Sequence, residues 1–571
     1  MCGIFSILNN HYSDQQIEFC FEKGSKRGPE KSDLVNFNNK KIILGFHRLA
    51  INGYQDPNAD QPFDLNNISL ICNGEIYNWK KLYSMMGVIG KSNSDCEVII
   101  HLYLKYGIEQ TVKMLDGVFS FILYDRIDNK VFVARDAFGV RPLFIKKTKY
   151  DNVSSTYSFA SELKQLIHLD NHRDIKQVTP GTYSVYNITD EGVFKDCENV
   201  PFYTMGVMPS SFNTDFNQTD IDVACKSIKH SLVEAVRKRV HNTERDIACL
   251  LSGGLDSSLI AALVCKLCPD KKITTWSIGI KGSEDLKYAK MVAEHINSDH
   301  HEIIISESDM LKSMETVIYD IESYDTTTVR ASIGNWMVSK FIKHHSDCKV
   351  VFNGDGSDEV CGGYLYFHHA PDSIEFDKEC RRLLKQIHFF DVLRSDRSIS
   401  SHGLEARTPF LDKNFVDTYL SINPQLRNHV IMNKCEKFLL RNAFDNDDLL
   451  PKQVLWRTKE AFSDGVSGDK KSWFEVLQEY ISETVFNHSP DILKTQRQFY
   501  NNNRPNTLEQ LHYRMVFESN YCDAGHVIPY FWMPNFIEAT DASARTLNVY
   551  KKQMERNNDD LNEKQVNVVL R

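Results

Sequence analysis

The chain has 571 residues, too many for one hydrophobic core, so two or three domains are expected. With 42% hydrophobic and 25% charged residues, it has the composition of an ordinary soluble protein. Its 67 Lys and Arg against 76 Asp and Glu, a net charge of -9, form no basic block of the kind that marks nucleic-acid or membrane surfaces. No apolar run reaches the roughly 20 residues that span a bilayer. The start, MCGIFSILNN, lacks a basic n-region and a full secretory apolar stretch, which points to the cytoplasm. The 14 cysteines are scattered and read as reduced thiols; Cys265 and Cys268 lie in the apolar run LIAALVCKLC and read as packed helix residues.

In the first 200 residues or so, short apolar runs alternate with turn residues: KKIILGFHRL, ISLICNGEIYN, GVFSFILYDR, NKVFVARDAFG and TYSVYNIT. These predict strands of a sheet-rich domain. One helical pattern interrupts them, SDCEVIIHLYLKYG (94–107), with Ser94 as its N-cap. Residues 202–220 crowd Pro, Gly, Ser, Asn and Asp, as expected of an interdomain connection. The rhythm then changes. DIACLL, ITTWSIGI, HEIIIS and CKVVFN read as strands, while LDSSLIAALVCKL and EDLKYAKMVAEHIN read as helices. That alternation predicts a parallel sheet covered by helices on both faces. Residues 370–545 look mainly helical, and 546–571 form a polar tail, expected to be mobile.

Chemistry-bearing residues fall into two groups. Cys2 follows the initiator Met, and Met removal would place its thiol beside a free α-amine. Such an amine, with a pKa near 8, can act as the thiol's base. NGEIYN (73–78) offers an Asn amide and a Gly N–H as oxyanion donors, although Asn-Gly also suits a hairpin turn. HRLAIN (47–52) sets Arg48 in an apolar strand, where a guanidinium can hold a carboxylate. Asp95 begins a helix, where an acid also simply complements the dipole.

Together with CGI, RDAFGVRPLF (135–144) and FASELK, these segments resemble the class II glutamine amidotransferase domain over about 200 residues. The resemblance implies an N-terminal-nucleophile αββα sandwich over 2–201, with Cys2 as nucleophile and Asn73 and Gly74 as the oxyanion hole. It implies Arg48 on the α-carboxylate of glutamine and Glu75 and Asp95 around its α-ammonium. Leu49, Ala50, Ile51 and Asn52 complete the glutamine-binding stretch.

In the second group, LLSGGLDSS (250–258) lies between a buried strand and a helix. Its glycine N–H groups, serine hydroxyls and helix N-terminus suit phosphate, and Asp256 suits Mg²⁺. It lacks the Lys of a Walker A loop. NGDGSDEVCGGYLYFHHAP (353–371) crowds Asp355, Asp358 and Glu359 at a strand's C-terminal end, the place where open α/β sheets bind ligands. ESYDTTTVRAS (322–332), GLEARTPFLD (403–412) and WRTKEAFSDG (456–465) follow.

With these segments the chain, apart from its tail, resembles the glutamine-hydrolysing asparagine synthetase family, over about 540 residues and in the family's motif order. The resemblance implies an α/β ATP pyrophosphatase domain over 221–545. It implies glutamine, aspartate and MgATP as substrates, a β-aspartyl-AMP intermediate, no nucleic-acid or membrane partner, and a homodimer. Position by position it implies Ser252, Gly253, Gly254 and Ser257 on pyrophosphate and Asp256 and Asp358 on Mg²⁺. Leu251, Ile278, Asn353 and Gly354 fall on adenosine, with Lys459 near the phosphates. Thr327, Thr328, Arg330 and Arg407 fall on the aspartate side. Asp355 stands where the family usually carries Glu, a group thought to assist amide formation. A related ligase acting on another carboxylate is the rival reading; Cys2 argues against β-lactam formation, which needs no ammonia, and the YDTTTVRAS and KEAFSDG segments favour aspartate.

Overall fold

The structure is a computed structural model that describes residues 1–39, 41–149, 155–171, 173–189, 191–206, 216–457, 472–489, 491–539, 541–543 and 546. The N-terminal part is built of two six-stranded antiparallel sheets. In the first, Gly3–Leu8 lies between Ser155–Ala160 and Ile42–Arg48. In the second, Ile68–Ile76 pairs with Gly117–Asp125, which pairs in turn with Lys130–Arg135.

Successive side chains of a strand point to opposite faces. Ile4 and Leu8, Leu44 and Phe46 from the first sheet therefore meet Ile71, Ile122 and Val133 from the second in one buried layer. The outer face of the second sheet, through Leu70, Cys72 and Phe121, packs on Leu82, Met86, Ile99 and Leu102 of the helices Trp79–Met86 and Val98–Met114. Phe5, Ile7 and Ile43, on the outer face of the first sheet, pack on Ile17, Cys20 and Phe21 of the helix Asp14–Glu22. The architecture is the expected αββα sandwich.

Two of these helices add to the one expected. Asp14–Glu22 carries only one short apolar set, Ile17, Cys20 and Phe21, but a capping box between Ser13 and Gln16 secures its start. Trp79–Met86 is closed by Gly87 in the left-handed conformation, φ 68°. Ser94 caps a short 3-10 turn, Asp95–Glu97, and the helix Val98–Met114 then runs past a non-helical break at Gly107.

The helix Gln218–Val240, secured by an Asn217–Asp220 capping box, starts inside the stretch expected as a connection. It leads into a five-stranded parallel sheet ordered Asp299–Ile305, Thr274–Ile280, Ile247–Leu250, Val350–Phe352, Glu405–Arg407. The first strand in sequence is central. Two successors lie on one side of it and two on the other, so the chain reverses direction between Ile247–Leu250 and Val350–Phe352. A crevice opens at the C-terminal ends of strands at such a switch point. The last strand, Glu405–Arg407, interrupts the stretch expected to be helical; at three residues it is too short for a period-2 pattern. Leu49, Ile51, Val118, Phe138 and Val140 of the sandwich share one buried cluster with Ile228, Leu232 and Leu259 of the second part. No helix among the described residues is long and apolar enough to cross a membrane.

Two candidate active sites

The first site lies at one end of the sandwich, and strand parity builds it. Cys2 continues the inward series Ile4 and Leu8; Arg48 continues Leu44 and Phe46; Asn73 and Glu75 continue Ile71. The Cys2 Sγ lies 3.4 Å from the Leu49 amide, which donates to it, and 3.5 Å from the Leu49 carbonyl. Arg27 Nε donates to the Cys2 carbonyl at 2.9 Å. Met1 is fully buried, with its α-amine donating to the Leu404 carbonyl at 2.9 Å. Burial pulls that amine down to about 5 and pushes the Cys2 thiol up to about 11. While Met1 is attached, Cys2 is thus a protonated thiol at neutral pH.

Asn73 is buried, and its side-chain Nδ2 has no hydrogen-bond partner. An orphaned buried donor costs stability unless a ligand takes it up. Arg48 donates to Asp60 at 2.6 Å and to the Gly53 carbonyl at 2.5 Å. Asn52 Nδ2 donates to Glu75 at 2.9 Å, and the Ile76 amide donates to Asp95 at 2.6 Å. Ala50 N donates to Glu30 at 2.6 Å, while the Ala50 and Ile51 carbonyls accept from Arg245 and the Glu244 amide. Burial, with the charges of Asp95 and Glu405 behind it, holds the Glu75 carboxyl well above the usual carboxylate range. Burial also raises the Asp95 carboxyl.

The second site is a cavity of about 220 Å³ at the switch point of the parallel sheet. Two loops meet there. Ser252–Ser257 leaves the central strand, and Asn353–Asp358 leaves its neighbour. Gly253 sits at φ +74°, and a Cβ on it would meet Ala289 N and Tyr288 Cβ at 2.6 Å. A Cβ on Gly354 would meet the Ser257 amide at 2.7 Å, so glycine permits the close approach of the two loops. Ser252 and Ser257 share a hydrogen bond between hydroxyls at 2.9 Å. The Asn353 amide donates to the Arg407 carbonyl at 3.1 Å. Leu251, Ile278, Asn353, Gly354, Asp355, Asp358 and Thr327 all line the cavity.

Lys437 and Arg394 of this cavity carried no sequence signal, and Arg457 lies in the WRTKEAFSDG segment without being singled out there. Lys437 is buried and bridges Asp256 at 2.7 Å and Asp358 at 2.6 Å, with Ser357 Oγ at 3.2 Å. Its backbone is left-handed, φ 58°, a conformation that non-glycine residues adopt where the surroundings force it. Burial disfavours its ammonium, but the charges of Asp256 and Asp358 outweigh burial and raise its pKa. Arg394 donates to Asp355 Oδ1 at 2.7 Å and to Asp391 at 3.0 Å, and Asp355 Oδ2 is buried with no hydrogen-bond partner. Arg457 lies over the Tyr288 ring and donates to the Gly253 carbonyl at 3.2 Å.

The four aspartate-side positions are not brought together. Thr327 lines the cavity, whereas Thr328 is bonded through its amide and hydroxyl to Asp325 at the start of the helix Thr326–His345. Arg330 and Arg407 are not among the lining residues. Arg330 is held by Glu509 at 2.6 Å and Asp541 at 2.7 Å. Arg407 is held by Glu405 at 2.8 Å and reaches Glu75 of the first site at 3.1 Å. Lys459 lies outside the described residues.

A cysteine-headed αββα sandwich fused to a parallel sheet with a Ser-Gly-Gly-x-Asp-Ser loop defines a two-site amidotransferase. Residues 1–211 match the glutamine amidotransferase domain family, and residues 227–378 and 370–514 match the asparagine synthase family. A glutamine-hydrolyzing asparagine synthetase of Gallus gallus is 42% identical, over 97% of this chain and 100% of the relative. One of Homo sapiens is 40% identical, over 96% of this chain and 99% of the relative. A solved Bacillus subtilis glutamine phosphoribosylpyrophosphate amidotransferase aligns at 24% identity and a TM-score of 0.29, over 49% of this chain and 67% of its own. The chain belongs to the family of glutamine-hydrolysing asparagine synthetases.

Proposed function

We propose that the chain makes asparagine from aspartate at the expense of ATP, with glutamine hydrolysed at Cys2 as the nitrogen source. The observation that carries this reading is the unpartnered Asn73 donor on the inward face of the second sheet, opposite the face that Cys2 continues, in one chain with the cavity of the Ser252–Ser257 loop. Once Met1 is removed, the Cys2 α-amine serves as base to its own thiol, and Asn73 Nδ2 with the Gly74 amide receives the developing oxyanion. Arg48 takes the α-carboxylate of glutamine, and Glu75 and Asp95 its α-ammonium, with residues 49–52 as the wall.

In the second site, Ser252, Gly253, Gly254 and Ser257 take the departing pyrophosphate, and Leu251, Ile278, Asn353 and Gly354 take adenosine. Lys459 offsets the phosphate charge. Thr327, Thr328, Arg330 and Arg407 belong to the aspartate side, Arg407 through its backbone carbonyl on the Asn353 loop. Asp355, fixed through one oxygen by Arg394, keeps its buried second oxygen for the incoming ammonia. The products are asparagine, glutamate, AMP and pyrophosphate.

The donor set fits magnesium. Asp256 and Asp358 point two hard carboxylates at one cation, the Lys437 ammonium, and Mg²⁺ sites typically use one or two carboxylates plus substrate phosphates. When bound there, Mg²⁺ would neutralise phosphate charge. We take 2–201 and 221–545 as the two catalytic domains, 202–220 as their connection and 546–571 as a tail. A cytoplasmic location and a homodimer complete the reading; cell fractionation and sedimentation equilibrium test them.

The decisive assay supplies glutamine, aspartate and MgATP. Asparagine, AMP and pyrophosphate are the expected products, and ADP or an unchanged aspartate pool would refute the reading. Cys2→Ala is expected to abolish glutamine-dependent synthesis while ammonia-dependent synthesis persists.

A further inference from the structure

The short connection between the helix Gln218–Val240 and the strand Ile247–Leu250 grips the first site. The Glu244 carboxylate accepts from the amides of Gly53 at 3.1 Å and Tyr54 at 2.9 Å. Arg245 pairs with Glu30 at 2.9 Å and stacks on the Tyr54 ring. Asn242 goes deeper and is buried. Its Nδ2 donates to Glu75 Oε2 at 2.7 Å and to Asp95 Oδ2 at 3.1 Å. Its backbone carbonyl accepts from Arg407 at 2.9 Å.

The orientation of this carboxamide follows from its partners. Trp79 Nε1, which can only donate, lies 2.9 Å from Asn242 Oδ1. The oxygen must face Trp79, so both N–H groups face the carboxylates. Glu75 and Asp95 are buried neighbours whose charges oppose one another. The two N–H groups of one carboxamide bridge both carboxyl groups, beside the Arg407 guanidinium 3.1 Å from Glu75 Oε2, and so set how the two acids lie relative to each other.

We propose that Asn242, supplied by the ATP-binding half, is a positioning residue of the glutamine site: it holds the Glu75 and Asp95 carboxyl groups in place for the substrate α-ammonium. Its contacts use Glu75 Oε2 and Asp95 Oδ2, which assigns Oε1 and Oδ1 to the substrate. The inference rests on the proposed function, in which glutamine binds at these carboxylates.

The test is steady-state glutaminase kinetics on the full chain for wild type, Asn242→Ala and the isosteric Asn242→Asp, with ammonia-dependent asparagine synthesis measured in parallel. Losing the hydrogen bonds that place both acids is expected to raise the KM for glutamine on the order of tenfold in both variants. Glutaminase kcat is expected to stay within about twofold, since the two acids that Asn242 positions hold the α-ammonium in bound substrate and transition state alike. An unchanged KM in both variants overturns the proposal. So does a parallel loss of ammonia-dependent synthesis in both, which would leave Asn242 a role in domain packing only. A wild-type chain that does not hydrolyse glutamine overturns the proposed function itself, a result distinguishable from failure at Asn242.

Discussion

Replacing Lys437 with Met keeps a side chain of similar length and removes one charge from the floor of the ATP-site cavity. The ammonium lies 2.7 Å from Asp256 and 2.6 Å from Asp358. At an effective dielectric of 20, each attraction is roughly 6 kcal/mol before desolvation is counted. Desolvation takes back much of this, and breaking a buried pair by removing one partner typically leaves a cost of about 3–5 kcal/mol. Here two carboxylates are left facing each other, so the upper end of that range applies. In EDTA, urea unfolding of Lys437→Met should show the second domain destabilised by about that amount. Millimolar Mg²⁺ should restore more stability to the variant than to wild type, because the cation no longer competes with the lysine for the same oxygens. Glutaminase activity should persist in both. Coincident unfolding curves in EDTA, or equal stabilisation of both proteins by Mg²⁺, would refute the view that Lys437 and the metal share these two carboxylates.

Three further outcomes follow from the geometry. Asp355→Ala should retain glutaminase activity and lose asparagine formation, and normal asparagine output would remove Asp355 from the site. Gly253→Ala forces a side chain into φ +74° and against Ala289 N at 2.6 Å, so ATP-dependent synthesis should fall on the order of 10²-fold while glutamine hydrolysis continues; comparing the two rates checks it. Burial works against the Asp170 carboxylate, but hydrogen bonds from Tyr12 and Lys146 outweigh it and hold its pKa down at about 2. A depressed carboxylate contributes stability that is complete above its unfolded value near 4 and is lost as pH falls through about 2. The stability difference between wild type and Asp170→Asn should therefore shrink over that window, as read by acid-dependent unfolding.

The residues legible in the sequence share a property: their chemistry needs neighbours in the chain. A phosphate loop has to place glycines, hydroxyls and an acid within one turn, so LLSGGLDSS announces itself. Cys2 and Asn73–Gly74 are legible for the same reason, since the processed terminus and adjacent oxyanion donors proposed for them are local features. The residues that were not legible act singly and are placed by packing. Lys437 opens the ordinary helix Phe438–Phe444, and Asn242 sits in a polar connection. Arg394 belongs to Asp391–Ser400, a helix whose charges resemble a solvated face. Yet every residue of that helix except Asp391 is buried, with Asp396 paired to Arg27 and Arg397 to Glu322.

Arg407 marks the limit of what a motif can deliver. GLEARTPFLD fixes where the backbone runs, and its carbonyl does accept from Asn353, in the loop that walls the ATP-site cavity. Where the guanidinium goes depends on which acids burial leaves within reach. Glu405 lies beside it on the same strand, and Glu75 arrives from the other domain. One residue thus joins the two candidate sites, by its backbone to the Asn353 loop and by its side chain to a carboxyl group proposed to bind glutamine. A fully buried guanidinium cannot exchange its partners for water, so the acids packed around it, and not the motif, decide where it lies.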